Sequence, residues 1–149
     1  MDTVVVCPQC EAANRVDLAH AASAKPSCGR CKSELPIHGG VQELSGTTLG
    51  LLLKKTSKPV IVDFWAQWCV PCRAFAPIYE KVARLMSDRF VFTKLDTGTH
   101  PLAGSAYQVR GVPTLIVFQN GQELDRQTGA MNEPMFTQYL QRWNREEAA

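Results

Sequence analysis

The sequence lacks a leader-like opening and any long apolar run. Met1-Asp2-Thr3-Val4-Val5-Val6-Cys7 has no basic flank, no extended apolar stretch and no small-residue cleavage site, so secretion is not expected. No segment approaches the roughly 18 apolar residues of a membrane span, and no membrane partner is expected. Neither sign of charge prevails: 16 Lys and Arg stand against 14 Asp and Glu, a formal net charge of +2. That is too little to dictate a phosphate-bearing partner. No cysteine stands outside a Cys-x-x-Cys pair, which argues against a disulfide-stapled secreted framework. A cytoplasmic location is the default expectation.

What is present is ordinary for a chain that buries a core, with 45% hydrophobic and 20% charged residues over 149 positions. That length suits one domain, or a small module ahead of one. Six cysteines in a reducing compartment bind metal or exchange electrons more readily than they staple a fold.

Residues 1–36 carry Pro8, Pro26 and Pro36 and no sustained periodicity. They have too little apolar surface for a core of their own, so the cysteines are expected to hold them together. Cys7-Pro8-Gln9-Cys10 and Cys28-Gly29-Arg30-Cys31 are two knuckles, 17 residues apart, a spacing that suits one tetrahedral zinc ion with four thiolate ligands. A closed set of four implies a structural Zn2+, and metal affinity would supply the module's folding energy. Two further redox dithiols or an iron–sulfur site are the alternatives. His20, His38 and His100 are not expected to be ligands. Lys25, Arg30 and Lys32, without interleaved aromatics, read as a solvated face rather than a nucleic-acid surface.

Ile37-His38-Gly39-Gly40 reads as a hinge, since adjacent glycines free the backbone where composition changes. A second domain is expected over 41–149. Its opening, 41–55, reads as a short strand or extension leading into a helix, with Ser45 near the start. Residues 60–65, apolar except for Asp63, read as a strand covered on both faces. A helix over 71–86 is expected to bend at Pro77 and not to end there, with Phe75, Ile78, Val82, Leu85 and Met86 on its apolar face. A strand over 90–95, a short helix over 100–107, strands over 114–118 and 122–128 around Asn120-Gly121, and a closing amphipathic helix over 133–143 complete the series, ahead of a polar tail. The fold class is α/β: a mixed central sheet with helices on both faces, preceded by a small zinc-ribbon-like module.

Trp68-Cys69-Val70-Pro71-Cys72 follows the first long strand at the start of a helix. Cys69 meets unpaired N–H groups and the helix dipole there, which favour a thiolate, and is the expected nucleophile. Cys72, one turn in, is placed to resolve a mixed disulfide. Pro71 suits an early helical position. Asp63, a carboxyl in a buried strand, is expected to have a raised pKa and to take the Cys72 proton. A purely local hydrogen-bonding role is the other reading of Asp63.

The block Val62-Asp63-Phe64-Trp65-Ala66-Gln67-Trp68-Cys69 with Pro71-Cys72, and later Gly111-Val112-Pro113-Thr114, resembles thioredoxin over residues 41–143. The resemblance implies a cis Pro113 facing the dithiol and a Val112 backbone that pairs with substrate. It implies Trp68, Val70, Pro71, Gly111, Val112 and Gly129 around the docking surface, and Lys94 tuning Asp63. Thioredoxins usually have glycine where this chain has Val70, whose β-branched side chain adds apolar surface beside the reactive sulfur.

With the cysteine-rich segment ahead of it, the chain is similar to the thioredoxin-2 type. That likeness implies a protein-disulfide reductase with no bound organic cofactor. Its partners would be disulfide-containing proteins and an NADPH-dependent thioredoxin reductase, and its setting oxidative stress. The competing functions are a zinc-ribbon binding module or holdase on a thioredoxin-like scaffold, and a more oxidising oxidase or isomerase.

Overall fold

The computed structural model describes residues 2–21 and 25–143. The polar tail after Trp143, residues 22–24 of the first segment and the side chain of His20 lie outside the described residues.

Strands β1 (Asp2–Val6) and β2 (Ala13–Asp17) form an antiparallel hairpin, and a single helical turn, α1 (Leu18–Ala21), follows. Then come β3 (Ile37–His38), β4 (Val41–Leu44), α2 (Gly46–Lys55), β5 (Val60–Trp65), α3 (Val70–Met86), β6 (Val91–Asp96), α4 (Pro101–Ala106), β7 (Thr114–Gln119), β8 (Gln122–Thr128) and α5 (Glu133–Gln141). Six strands make one mixed sheet in the order β3-β4-β6-β5-β7-β8. The β4–β6 and β6–β5 pairs are parallel; β3–β4, β5–β7 and β7–β8 are antiparallel.

β5 is central, and its alternation feeds two cores. Ile61 packs with Phe75, Tyr79 and Val82 of α3 and Phe136 and Leu140 of α5. Val60, Val62 and Phe64 face Leu49 and Leu52 of α2 and Ala103 of α4. Burial on both faces explains why this strand reads as a nearly continuous apolar run. α2 starts where Ser45 and Thr48 form a capping box, which satisfies two otherwise orphaned N–H groups. Asn120 and Gly121, at φ 52° and 79°, close the β7–β8 hairpin, a conformation that asparagine and glycine tolerate best.

Three expectations are corrected. The proposed hinge at 37–40 is a hairpin: Ile37 and His38 pair with Gln42 and Val41, and Gly39 and Gly40 turn at φ 60° and 80°. The freedom of two glycines serves a tight turn that adds an edge strand to the main sheet. Second, the first segment has strands and a small core, in which Val5, Val16, Leu35 and Ile37 close around Cys7 and Cys28. Its short β1–β2 pair is too brief to announce itself by alternation. Third, the buried stripe of α3 runs through Cys72, Phe75, Tyr79, Val82 and Ala83, while Leu85 is 67% exposed. Tyr79 lies in that stripe although its hydroxyl is polar.

β1 is shared. Val5 faces the cysteine-rich core, whereas Val6 is buried among Leu44, Leu49 and Val60 of the main domain, with Val4 packed against that cluster. Gln42 donates from Nε2 to the Val4 carbonyl at 2.8 Å, and Lys58 Nζ donates to the Asp2 carbonyl at 3.0 Å.

The sheet ends in two unlike rims. β3 is two residues long, and β8 is largely exposed, with the Glu123–Arg126 ion pair at 2.7 Å. Arg126 also reaches the carbonyls of Tyr107 and Gln108 at 2.9 and 3.1 Å.

Candidate active site and metal centre

The end of β5 delivers Cys69 to the N-cap of α3, where its Sγ accepts from the Cys72 N–H at 3.2 Å. Pro71 occupies the first turn, where its missing N–H leaves nothing unpaired. Cys69 and Cys72 are joined as a disulfide, with Cα atoms 5.2 Å apart, so the pair closes without displacing the helix. Cys69 is 4% exposed and Cys72 1%, which leaves the first sulfur as the outer one. The helix N-terminus stabilises negative charge on that sulfur when the pair is reduced.

Across the rim lies the Gly111-Val112-Pro113 segment. The Val112–Pro113 peptide is cis, and the Val112 carbonyl oxygen stands 3.6 Å from Cys69 Sγ. Thr114 Oγ1 donates to the Gly111 carbonyl, and Gly129, at φ 103°, donates from its N–H to the Pro113 carbonyl at 2.8 Å. Trp68 and Val70 are 75% and 65% exposed. Together with Val112, which packs against the dithiol, they give it an apolar collar.

Asp63 is buried, and its Oδ1 has no hydrogen-bond partner. Burial pushes its pKa up from 3.8 to about 7, and the positive charge of Lys94 pulls it part of the way back. Asp63 follows Ile61 on the α3 face of the sheet, the face that also receives Cys72. Lys94 is its register partner on β6, yet the ammonium is drawn to Glu43 Oε1 at 3.4 Å and lies 5.2 Å from the centre of the Trp65 ring.

Three polar residues escaped the sequence reading. The buried Tyr79 hydroxyl donates to the Thr93 carbonyl at 2.7 Å, with the Ile61 carbonyl at 3.0 Å. Burial first, and the Asp63 charge second, hold the Tyr79 phenol well above its usual pKa. The 72/75/79/82 spacing was the available signal for it. Glu43 and Asn14 had none.

Cys7, Cys10, Cys28 and Cys31 bring their sulfurs within 4.8 Å of one another. The Cys7–Cys31 and Cys10–Cys28 separations are both 3.6 Å, close to the ~3.8 Å edge of a tetrahedron with metal–sulfur bonds of about 2.3 Å. The two knuckles repeat one backbone pattern. Cys7 N–H donates to Ala12 O at 2.9 Å and Glu11 N–H to Cys7 O at 2.8 Å; Cys28 N–H donates to Ser33 O at 2.8 Å and Lys32 N–H to Cys28 O at 2.9 Å. Glu11 and Lys32, each just after the second cysteine, take φ 66° and 69°. Asn14 of β2 ties the hairpin to the second knuckle, accepting from Gly29 N–H at 2.9 Å and lying 3.5 Å from Cys28 Sγ, with its Nδ2 also 3.2 Å from the Ala12 carbonyl. Four thiols so arranged, with N–H groups aimed at a sulfur, fit a metal ion. Among the described residues the cluster consists of these four cysteines. Lys25 pairs with Glu34 at an exposed site, and Lys32 Nζ donates to Gly29 O at 3.0 Å.

The family model described as Thioredoxin matches residues 40–142. Thioredoxin C-3 of Corynebacterium nephridii is 35% identical over 144 residues, covering 94% of this chain and 92% of its own. The bifunctional thioredoxin reductase/thioredoxin of Mycobacterium leprae is 44% identical over 75 residues, covering 50% of this chain and 16% of its own. Among solved structures, a mutant thioredoxin from Halobacterium salinarum matches with a TM-score of 0.66 at 28% identity, over 72% of this chain and 94% of that one.

Proposed function

The chain belongs to the thioredoxin family, and from that premise we propose that it reduces disulfides in other proteins through Cys69 and Cys72. The observation that carries this is the closed pair at the α3 N-terminus beside the Val112 carbonyl. In the reduced chain the Cys69 thiolate attacks one sulfur of the partner disulfide and expels the other as a thiolate. The Cys72 thiol, having lost its proton, then attacks Cys69 Sγ and releases the second partner thiol. Two electrons pass to the partner, and the chain is left with the disulfide it holds here. Trp68, Val70, Pro71, Gly111 and Val112 form the docking rim around Pro113, with Val112 offering its backbone to an extended partner segment.

Asp63 is the proposed acceptor of the Cys72 proton. With a pKa of about 7, it can gain and lose a proton at neutral pH, as a general base must. The same shift has a signed effect on stability. A folded carboxyl that holds its proton above the unfolded pKa favours the folded state at low pH, and that contribution is lost as pH rises from 3.8 to about 7. Asp63→Asn is therefore expected to be more stable than the parent at pH 8, by on the order of 4 kcal/mol, with the gap closing toward pH 4. Urea unfolding at the two pH values measures it, and an equal gap at both would refute the buried-carboxylate assignment.

We assign the four-cysteine site to one structural Zn2+, since a closed set of thiolates suits that borderline-soft ion. Bound, the metal would supply cross-linking of the two knuckles. Metal analysis of the purified chain tests the assignment: one zinc per chain is expected, and visible sulfur-to-iron absorption would replace zinc with iron. Residues 1–36 carry this module, and the rest of the chain carries the exchange chemistry. The pattern resembles the thioredoxin-2 type, in a cytoplasmic setting of oxidative stress. The bifunctional thioredoxin reductase/thioredoxin of Mycobacterium leprae supports a thioredoxin reductase as the electron donor, and NADPH is the reductant proposed for that enzyme. Turnover of insulin disulfides with NADPH and such a reductase is the direct assay.

A further inference from the structure

The carboxyl ends of the parallel strands β4, β6 and β5 carry three charged residues in one register row: Glu43 opposite Lys94, and Lys94 opposite Asp63. In-register neighbours on parallel strands point to the same face, here the face on which Val41, Phe92 and Ile61 lie two residues earlier in the same core. The row grades from a half-exposed Glu43 through Lys94 to a buried Asp63. It borders a crevice of about 220 Å³ lined by Glu43, Trp65, Gln67, Lys94, Asp96 and His100, among others.

We propose that Glu43 is a positioning residue that holds the Lys94 ammonium away from the Asp63 carboxyl and so sets how readily that carboxyl gives up its proton. The proposal rests on the part given to Asp63 above and extends it to a residue outside the dithiol site. Lys94 has a choice of carboxylates and the geometry records which it takes. Its Nζ meets Glu43 Oε1 at 3.4 Å, while Asp63 Oδ1 has no hydrogen-bond partner. Asp96, the other carboxylate in the crevice, is occupied by Gly98 N–H at 2.9 Å, Thr99 Oγ1 at 3.1 Å and Gln67 Nε2 at 3.4 Å. Around Asp63 the remaining packed elements offer Tyr79 and, in the reduced chain, the Cys72 thiol from α3, and the apolar Leu115 from β7; His100 lies at the far side of the crevice.

Glu43 acts twice in the same direction. It neutralises the one cation in register with Asp63, and it adds a like charge on the same face. As a partly exposed pair, Glu43–Lys94 contributes little to stability in its own right, so its effect is legible as a titration rather than as a melting shift.

The test follows the Asp63 carboxyl carbon by NMR across pH in the reduced full-length chain. In Glu43→Gln the midpoint is expected to fall by roughly half a pH unit or more. Glu43→Asp keeps most of the parent value, and Glu43→Gln moves the midpoint less in the Lys94→Gln background than in the parent, since only the like-charge part of its effect remains there. An unmoved or raised midpoint in a folded Glu43→Gln overturns the proposal, as does an undiminished shift in the Lys94→Gln background. The pH profile of turnover separates this from the parent reading. A lowered Asp63 midpoint with an unchanged profile upholds the Glu43 link and removes Asp63 from the exchange chemistry.

Discussion

Cys69→Ser is expected to lose insulin-disulfide turnover by more than about a thousandfold, because a serine hydroxyl at neutral pH has almost no anion to offer and the attack needs a thiolate. The fold gives no reason for collateral damage. Serine is itself a favoured N-cap, so the Cys72 N–H that now meets sulfur at 3.2 Å keeps an acceptor. Melting temperature and metal content should stay at the values of the reduced parent while turnover vanishes. Cys72→Ser should behave differently: the first attack persists, the second cannot occur, and mixed disulfides with partner proteins accumulate under non-reducing electrophoresis. Full turnover by folded Cys69→Ser, or no trapped species from Cys72→Ser, would remove this pair from its role.

Loss of the metal site is expected to be felt far from it. Cys28 is fully buried, and Cys28→Ser removes a proposed ligand whose sulfur also accepts from Asn14 and from the Arg30 N–H. The first segment then lacks what fixes its two knuckles to each other, and β1 loosens. Val6, 1% exposed within the main domain's core, loosens with it. Releasing a buried valine costs about 1.5 to 3 kcal/mol, and the Gln42 hydrogen bond to Val4 adds about 1 kcal/mol. For a chain of this size the melting temperature of the redox domain should fall by about 10 °C. Calorimetry beside metal analysis checks it. A variant that has lost the ion and still melts like the parent would show the two parts to be thermodynamically separate.

The legible and illegible parts of the sequence divide along physical lines. β5, α3, the β7–β8 hairpin and α5 were readable because each has either a sustained period or a turn whose residues allow little else. The dithiol was readable because spacing alone put Cys69 and Cys72 one turn apart. The four-cysteine site followed from two equal knuckles. Gly39-Gly40 misled, since adjacent glycines serve a hinge and a tight turn equally well, and only the partner strand β4 decides between them. β1 was hidden for a related reason: a strand whose two faces enter two different cores shows no polar side to alternate against. Glu43 is the plainest case of missing information. Its closeness to Lys94 depends on the register of two strands separated by the whole of α2, β5 and α3, and no local pattern encodes register.

The rims of the sheet bear on aggregation. A reductase of this kind meets partners whose backbones are partly unpaired, and a long, flat, uncharged edge would invite them to add on as extra strands. β3 is too short to template one, and β8 carries charge along its length and an arginine tied back to the body of the domain. A visiting chain is thereby turned away from both borders and toward the Val112 segment proposed to receive it, where the encounter ends in release instead of accretion.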